Sequence, residues 1–154
     1  MGYMEEMREL VGHRPLILPG AVAVVVDQER RILLQQRLEP ARRWGLPGGL
    51  MELGESLEET ARRETFEETG LTLGELHLIG LSSGPQNYVK ASNGDEFYSV
   101  TASYYTTAFS GELKVNLDES TDARFIDPRE LPERMVGSHR KVIKTFLEQI
   151  FPDY

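Results

Sequence analysis

The sequence predicts an α+β fold, in which a few helices are set among a larger number of strands. Residues 19–27, PGAVAVVVD, are rich in β-branched residues, and further strand-like stretches follow between polar loops that contain Gly or Asn. Residues 56–69 and 137–151 instead carry helix signals, which are end caps in the first segment and an amphipathic face in the second. The chain has 154 residues and no internal repeat or linker, so we expect one domain over residues 1–154.

The N-terminal segment is predicted to be a short helix followed by an extended arm. Apolar residues recur at helical spacing over residues 3–11. Pro15 and Pro19 then favour an extended backbone. Residues 1–18 are therefore expected to form a helix and an arm that precede the first strand.

The remaining strands follow from β-rich stretches between turn signals. Residues 31–37, RILLQQR, are predicted to form a hairpin with residues 19–27, and residues 38–49 to form a loop. Later strands are predicted at 75–81, 96–109, 113–117 and 123–126, with one helical turn at 128–131.

Three glutamates of the predicted helix at 56–69 share one face. Glu64, Glu67 and Glu68 stand at i, i+3 and i+4, and therefore fall within an arc of about 100° that borders the apolar side of the helix. Like charges so placed repel one another, and partial burial adds a desolvation cost. A hard divalent cation, Mg²⁺ or Mn²⁺, would neutralise them, since no His or Cys is nearby. The alternative is a solvated acidic face that is partly neutralised by Arg62 and Arg63.

The overall charge limits the classes of partner. A formal charge of −8 argues against a broad nucleic-acid surface, which requires a basic stripe. The chain has no cysteine, so disulfides and thiolate catalysis are excluded. The N-terminus does not resemble a secretory signal, and the apolar run at 21–26 is too short to span a bilayer, so we expect a cytoplasmic protein.

The order of residues around this helix resembles the Nudix box, the signature of the Nudix hydrolase family. The box runs from Gly49 to Leu71, and its fixed glycine and polar positions all match. Thr65 departs from the pattern, because the family usually has an aliphatic residue there. We expect its hydroxyl to bond back to a helical carbonyl at a small cost in stability.

The resemblance implies a fold and a reaction. The Nudix fold is a mixed β-sheet sandwiched between α-helices. Its enzymes use a divalent metal, here Mg²⁺ or Mn²⁺, to hydrolyse a nucleoside diphosphate linked to another moiety, with attack of water at phosphorus. The expected substrate is a nucleotide, a nucleotide sugar or an ADP-ribose type of molecule.

The resemblance also implies roles for residues of the box. Its metal-binding glutamates match Glu64, Glu67 and Glu68, and its ligating carbonyl matches Gly48. Arg63 matches an arginine that orients a glutamate, and Glu55 matches a glutamate that holds this network. Glycines at 45, 48 and 49 are expected to let the backbone approach metal and phosphates, because a Cβ would obstruct them.

The proton acceptor and the substrate contacts are less defined by the sequence. Glu119 is the best candidate for the acceptor outside the box, with Asp118 and the box glutamates as alternatives. The candidate substrate-binding residues are Arg37, Arg42, Arg43 and Tyr88. The three histidines, His13, His77 and His139, share no spacing and are not expected to bind metal.

Several alternatives stay open at this level. Pro85 and Tyr88 resemble markers of different Nudix subtypes, so they do not identify the substrate. The expected partner is a small nucleoside diphosphate derivative; long nucleic acid is disfavoured, while an RNA 5′ end and a homodimer stay open. The alternative function is a catalytically silent module that senses a nucleotide, although such a protein would be expected to lack a box glutamate.

Overall fold

Two main sheets and a short two-stranded ladder make up the β structure of this computed structural model, which describes residues 2–153. The largest sheet contains β1 (Leu16–Val25), β4 (Gly48–Leu50), β6 (His77–Ser82), β7 (Tyr88–Lys90) and β8 (Glu96–Thr106). Its order is β4-β1-β8-β6, with β7 also paired to β8, and β1 runs parallel to β8. The second sheet has the order β10-β2-β3, formed by β10 (Ser120–Ile126), β2 (Ile32–Arg37) and β3 (Trp44–Gly45). The ladder pairs β5 (Thr72–Leu73) with β9 (Phe109–Ser110).

Helices cover both faces of the largest sheet. The three helices are α1 (Tyr3–Val11), α2 (Leu57–Thr69) and α3 (Gly137–Ile150), and 3₁₀ turns occur at Pro85–Asn87 and Pro128–Glu130. Side chains of β1 alternate between the faces. Ala21 lies in a cluster with Ala61 of α2, whereas Val22 and Val24 lie in a cluster with Phe146 of α3. This arrangement confirms the predicted α+β sandwich.

The predicted N-terminal helix is present as α1, and its two ends are bound to different parts of the protein. At its start, the Tyr3 backbone N–H donates to Glu52 Oε2 at 3.1 Å. Near its end, Arg8 Nη2 donates to the carbonyl of Glu96 at 2.8 Å. The arm is shorter than predicted, because β1 already begins at Leu16.

The predicted hairpin between residues 19–27 and 31–37 is wrong. Both strands exist, but only one isolated bridge, Val26 with Ile32, joins them before they enter different sheets. The edges of β1 are occupied by β4 on one side and β8 on the other. Strand propensity does not specify which strands pair, so the tight turn alone was misleading.

The strand predicted at 113–117 is also wrong. This segment instead satisfies backbone carbonyls at the C-terminus of α2, which have no partner within the helix. Lys114 N–H donates to the Thr69 carbonyl at 2.8 Å, and Asn116 N–H donates to the Glu68 carbonyl at 3.3 Å. The loop predicted at 38–49 contains β3 and β4, and the strand predicted at 96–109 is divided between β8 and β9.

Candidate active site

Helix α2 has the ends that its sequence predicts. The Ser56 hydroxyl accepts a hydrogen bond from Glu59 N–H at 3.1 Å and caps the first turn. Gly70 ends the helix with a φ of +77°, a conformation that favours glycine, and its N–H donates to the Phe66 carbonyl at 2.9 Å. These caps fix where α2 begins and ends, and the packing of buried residues such as Ala61 and Thr65 decides which side of it faces the core.

Two of the three predicted metal-binding glutamates form a buried pair. Glu68 is 5% exposed, and the side chain of Glu64 is 17% exposed. Burial raises the pKa of both carboxyls, that of Glu68 to about 9; the hydrogen bond between the two side chains raises the pKa of Glu68 further and partly offsets the effect of burial on Glu64. Both carboxyls therefore favour the protonated form more than an exposed glutamate does, and Glu68 does so more strongly than Glu64.

Arg63 holds Glu64 in place. Its Nε and Nη2 donate to the two oxygens of Glu55 at 2.5 and 3.0 Å, and its Nη1 donates to Glu64 Oε1 at 2.9 Å. The bidentate contact lowers the pKa of Glu55 to about 2. The contacts join Glu55, Arg63 and Glu64 into one network, and the roles of Arg63 as an orienting residue and of Glu55 as its anchor stay predictions.

Glu67 lies outside the buried pair. Its side chain is 50% exposed and lies 3.3 Å from Arg63 Nη1. Over residues 2–153, no group of three or more His, Asp or Glu side chains converges in an arrangement ready to hold a metal ion. The structure therefore brings Glu64 and Glu68 together, with Glu67 at the rim.

The glycines before α2 are in close contact with protein atoms. A Cβ on Gly49 would lie 2.5 Å from the carboxyl carbon of Glu64, and one on Gly48 would overlap the carbonyl of Ala21 in β1. Gly48 N–H also lies 3.4 Å from Glu68 Oε2. The glycines let the loop lie between β1 and the glutamates, which is a packing reason for them in addition to the predicted one.

Sequence reasoning missed a polar pair beneath Glu68. Gln35 of β2 donates from Nε2 to Glu68 Oε2, and its Oε1 accepts from the Ser120 hydroxyl at 3.3 Å. Both residues are buried, with 8% and 2% exposure. The sequence did offer a signal for this pair, because Gln35 follows three apolar residues in a buried strand. A polar side chain at such a position needs a buried hydrogen-bond partner.

Glu119 lies at the edge of the same site. Its side chain is exposed, yet its charge helps to raise the pKa of Glu68, as a smaller effect than burial and the contact with Glu64; the contact with Gln35 acts in the opposite direction. Its backbone is fixed, because its N–H donates to the Asn116 carbonyl at 3.0 Å and its carbonyl accepts from Leu38 at 3.2 Å. Asp118 is also exposed, on the same turn.

Arg37, at the end of β2, and Arg43, just before β3, face the site. Gln35 pairs with Gly45, and Arg37 N–H donates to the Arg43 carbonyl at 2.9 Å, so alternation places both arginines on the Gln35 side. Glu39 accepts two 2.8 Å hydrogen bonds from Arg43 and lies 4.0 Å from Arg37. The pKa of Arg37 is lowered, chiefly by burial.

Arg42 and Tyr88 lie outside this cluster. Arg42 is exposed at a turn with a φ of +50°, where its carbonyl accepts from Gln36 at 3.2 Å. Tyr88 lies on β7 opposite Tyr98, and β8 and β1 separate it from β4 and the glycine loop. Its hydroxyl donates to Glu96. Their role in substrate binding stays a prediction.

His139 is a second residue of the site that sequence reasoning did not find. It lies near the start of α3, and its Nδ1 accepts a hydrogen bond from the Leu46 N–H at 3.0 Å. A Cβ on Gly45 would lie 2.9 Å from the same nitrogen, so the ring covers Gly45 on the arginine side of β3. Burial, and then the charges of Arg37 and Arg43, lower its pKa to about 3.

The expectation for Thr65 is wrong. Its hydroxyl is buried and has no hydrogen-bond partner among the residues that the structure describes. One turn later, Thr69 does bond back, donating to the Thr65 carbonyl at 2.6 Å. That carbonyl belongs to the residue four positions earlier, as in the geometry expected for Thr65.

In the described part of the chain, no helix is long and apolar enough to cross a membrane.

Comparison with known proteins identifies the family. The model of the NUDIX domain matches residues 17–146. An ADP-ribose pyrophosphatase of Methanocaldococcus jannaschii is 33% identical over 144 residues, which are 91% of this chain and 80% of that protein. The NAD-capped RNA hydrolase NudC of Vibrio parahaemolyticus is 30% identical over 92% of this chain and 50% of its own length. The crystal structure of a MutT NUDIX hydrolase from Burkholderia pseudomallei is 30% identical, with a TM-score of 0.71 over 86% of this chain and 98% of that chain.

Proposed function

Since this chain belongs to the Nudix family and is a Nudix-type pyrophosphohydrolase, we propose that it hydrolyses the pyrophosphate bond of a nucleoside diphosphate linked to a second group, with Mg²⁺ or Mn²⁺. The buried pair of Glu64 and Glu68 carries this proposal. Burying two carboxyls side by side is costly unless a proton or a cation lies between them.

The residues present fit a hard divalent cation. Their donors are carboxylate oxygens, to which the family resemblance adds a backbone carbonyl, and oxygen donors are the ligands that Mg²⁺ and Mn²⁺ prefer. Glu64, Glu67, Glu68 and the carbonyl of Gly48 would hold it. When bound, the cation would neutralise phosphate oxygens and lower the pKa of an attacking water.

The chain's own residues prepare the reaction in three ways. Arg63, anchored by Glu55, fixes the orientation of Glu64. Gln35 holds Glu68 from below, so both carboxyls keep one arrangement through the reaction. Arg37 and Arg43 face the same space and would bind phosphate oxygens, because guanidinium groups match phosphate geometry.

The chemical step is the attack of a water oxygen on one phosphorus of the pyrophosphate. A new P–O bond forms, the bond to the bridging oxygen breaks, and the leaving phosphate takes the electron pair. The water proton passes to a carboxylate. We propose Glu119 as its acceptor, because the charge of this carboxylate acts on Glu68 and its backbone is fixed in a turn.

The proposed substrates follow the relatives' printed activities. ADP-ribose comes first, because the M. jannaschii relative, a protein of similar length, is an ADP-ribose pyrophosphatase. NAD-capped RNA comes next, although this chain spans half of the NudC relative. The panel is completed by nucleotide sugars, dinucleoside polyphosphates and nucleoside triphosphates with oxidised bases.

The test is nucleotide or phosphate release from this panel, measured with Mg²⁺, with Mn²⁺ and with a chelator. Glu68→Gln keeps the size of the side chain and should abolish turnover, whereas Glu59→Gln on the same helix should not, since its part in the cap uses only its backbone N–H. For the proton acceptor, Glu119→Gln is compared with Asp118→Asn, and only the first should lower kcat. Equal activity of wild type and Glu68→Gln would refute the proposal.

The second candidate function is nucleotide sensing without hydrolysis. No observation favours it, since Glu55, Arg63, Glu64, Glu67 and Glu68 are all present. If the protein bound ADP-ribose or nucleotides but hydrolysed none of the substrates in the panel, nucleotide sensing would become the proposed function.

A further inference from the structure

His139 differs from the other polar residues of the site in having one nitrogen fixed and the other free. Nδ1 accepts from the Leu46 N–H at 3.0 Å, so in the neutral ring the proton must be on Nε2. Nε2 has no hydrogen-bond partner among the described residues. It is also not one of the fully buried side-chain nitrogen and oxygen atoms of those residues that lack a partner. The ring therefore keeps one N–H donor that no described residue accepts.

This donor lies on the side of β3 that carries the two arginines. The ring covers Gly45, and Gly45, Gln35, Arg37 and Arg43 share that side by strand alternation. Gln35 in turn contacts Glu68. The ring of His139, and with it the unpaired N–H, therefore lies on the side of the sheet where the charges of Arg37 and Arg43 act on it.

The charges that act on His139 itself, those of Arg37 and Arg43, favour an anionic ligand next to its ring. Two guanidinium groups share one carboxylate, that of Glu39, so one positive charge is left over. A neutral imidazole adds a donor there without adding a third cation to repel the others. Its lowered pKa keeps the ring neutral at the pH of an ordinary assay.

From this geometry we infer that His139 is a substrate-binding residue, whose Nε2–H donates to a non-bridging phosphate oxygen held between Arg37 and Arg43. The inference rests on the proposed function, which supplies the phosphate. It assigns to α3 a part in recognition, beyond that of packing against the core.

Two substitutions separate recognition from structure, because each amide side chain replaces one ring nitrogen. His139→Asn places a carbonyl oxygen near the position of Nδ1, so it can still accept from Leu46, but it has no donor at the Nε2 position. His139→Gln reaches the Nε2 position with an N–H₂ donor and loses the contact with Leu46. A purely structural role predicts that Asn is the better replacement, and a recognition role predicts that Gln is.

Binding is measured by calorimetry with inorganic pyrophosphate and with ADP in the presence of Mg²⁺, and stability by thermal unfolding. We expect His139→Asn to weaken binding about tenfold, the effect of one hydrogen bond to a charged group, while Tm stays within about 2 °C of wild type. His139→Gln should bind within about threefold of wild type, despite a lower Tm. With a hydrolysed substrate, His139→Asn should raise KM and leave kcat unchanged.

The outcomes separate the two proposals. Wild-type affinity in His139→Asn, or equal losses in both variants, would overturn the role of His139, as would the absence of pyrophosphate and ADP binding to wild type. If wild type binds both probes and hydrolyses none of the panel, the proposed reaction fails, and the binding data for the two variants still decide the role of His139.

Discussion

Replacing Thr65 with valine should stabilise this protein. The Thr65 side chain is fully buried in α2, and its hydroxyl lacks a partner among the described residues. A buried polar group without a hydrogen bond costs about 1–3 kcal/mol. Valine has nearly the same shape and a methyl group in place of the hydroxyl, so the surrounding packing is kept.

For Thr65→Val we expect the free energy of unfolding to rise by about 1–2 kcal/mol. This is less than the full cost of the unpaired hydroxyl, because a methyl group is slightly larger than the hydroxyl it replaces and must fit the same space. For a chain of this length, that gain corresponds to a rise in Tm of about 3–6 °C. Urea denaturation followed by circular dichroism, with a chelator present, measures the effect independently of any metal.

Thr69 provides a matched control one turn later. It is equally buried, but its hydroxyl donates to the Thr65 carbonyl at 2.6 Å. Thr69→Val makes the same chemical change with the same helix propensity, and should destabilise by about 1 kcal/mol. Opposite signs for the two variants support the reasoning. A loss of stability in Thr65→Val would refute it and would mean that its hydroxyl has a partner, such as a bound water.

Three further predictions concern the charged network. Because the folded-state pKa of Glu68 is raised by burial to about 9, from an ordinary value of 4.5, the metal-free protein gains a proton on folding between these pH values. Its free energy of unfolding should therefore fall as pH rises from about 5 to about 9. Glu68→Gln should flatten that fall in urea titrations at several pH values. The contribution of Glu55 to stability depends on pH in the opposite direction, because the contact with Arg63 lowers its pKa to about 2. This contribution should be complete above about pH 5 and lost as pH falls towards about 2. Acid titrations of Glu55→Gln should not show that loss of stability. Arg63→Lys keeps the charge but not the fork that joins Glu55 to Glu64, so kcat should fall about tenfold to hundredfold in steady-state assays, and an unchanged kcat would show that the fork is dispensable.

Features that depend on neighbouring residues were predicted well from sequence. Both ends of α2 follow from Ser56 and Gly70, whose capping chemistry acts within one helical turn. The arc of three glutamates follows from helix periodicity. Which of them is buried does not, because that depends on contacts with Gln35, 33 residues earlier in the chain.

Features that depend on strand pairing were not predictable in the same way. β1 and β2 were expected to pair because a short turn joins them, yet β1 pairs with β8 instead. The contact of His139 with Leu46 spans 93 residues, and no local pattern marks it. The hydroxyl of Thr65 is a further case that the sequence could not predict. Helix geometry permits its hydrogen bond to a carbonyl one turn earlier, but the packing around the side chain decides that this bond is not made.

The position of the glycine loop between two sheets has a consequence for the order of folding. Only Leu46 and Pro47 separate β3 from β4, and these strands belong to different sheets. The larger sheet further requires the parallel pairing of β1 with β8, in which Leu16 meets Phe97, and pairings between such distant segments form slowly. The loop can be fixed only after both sheets exist, so catalytic competence should be among the last properties to return when the chain refolds.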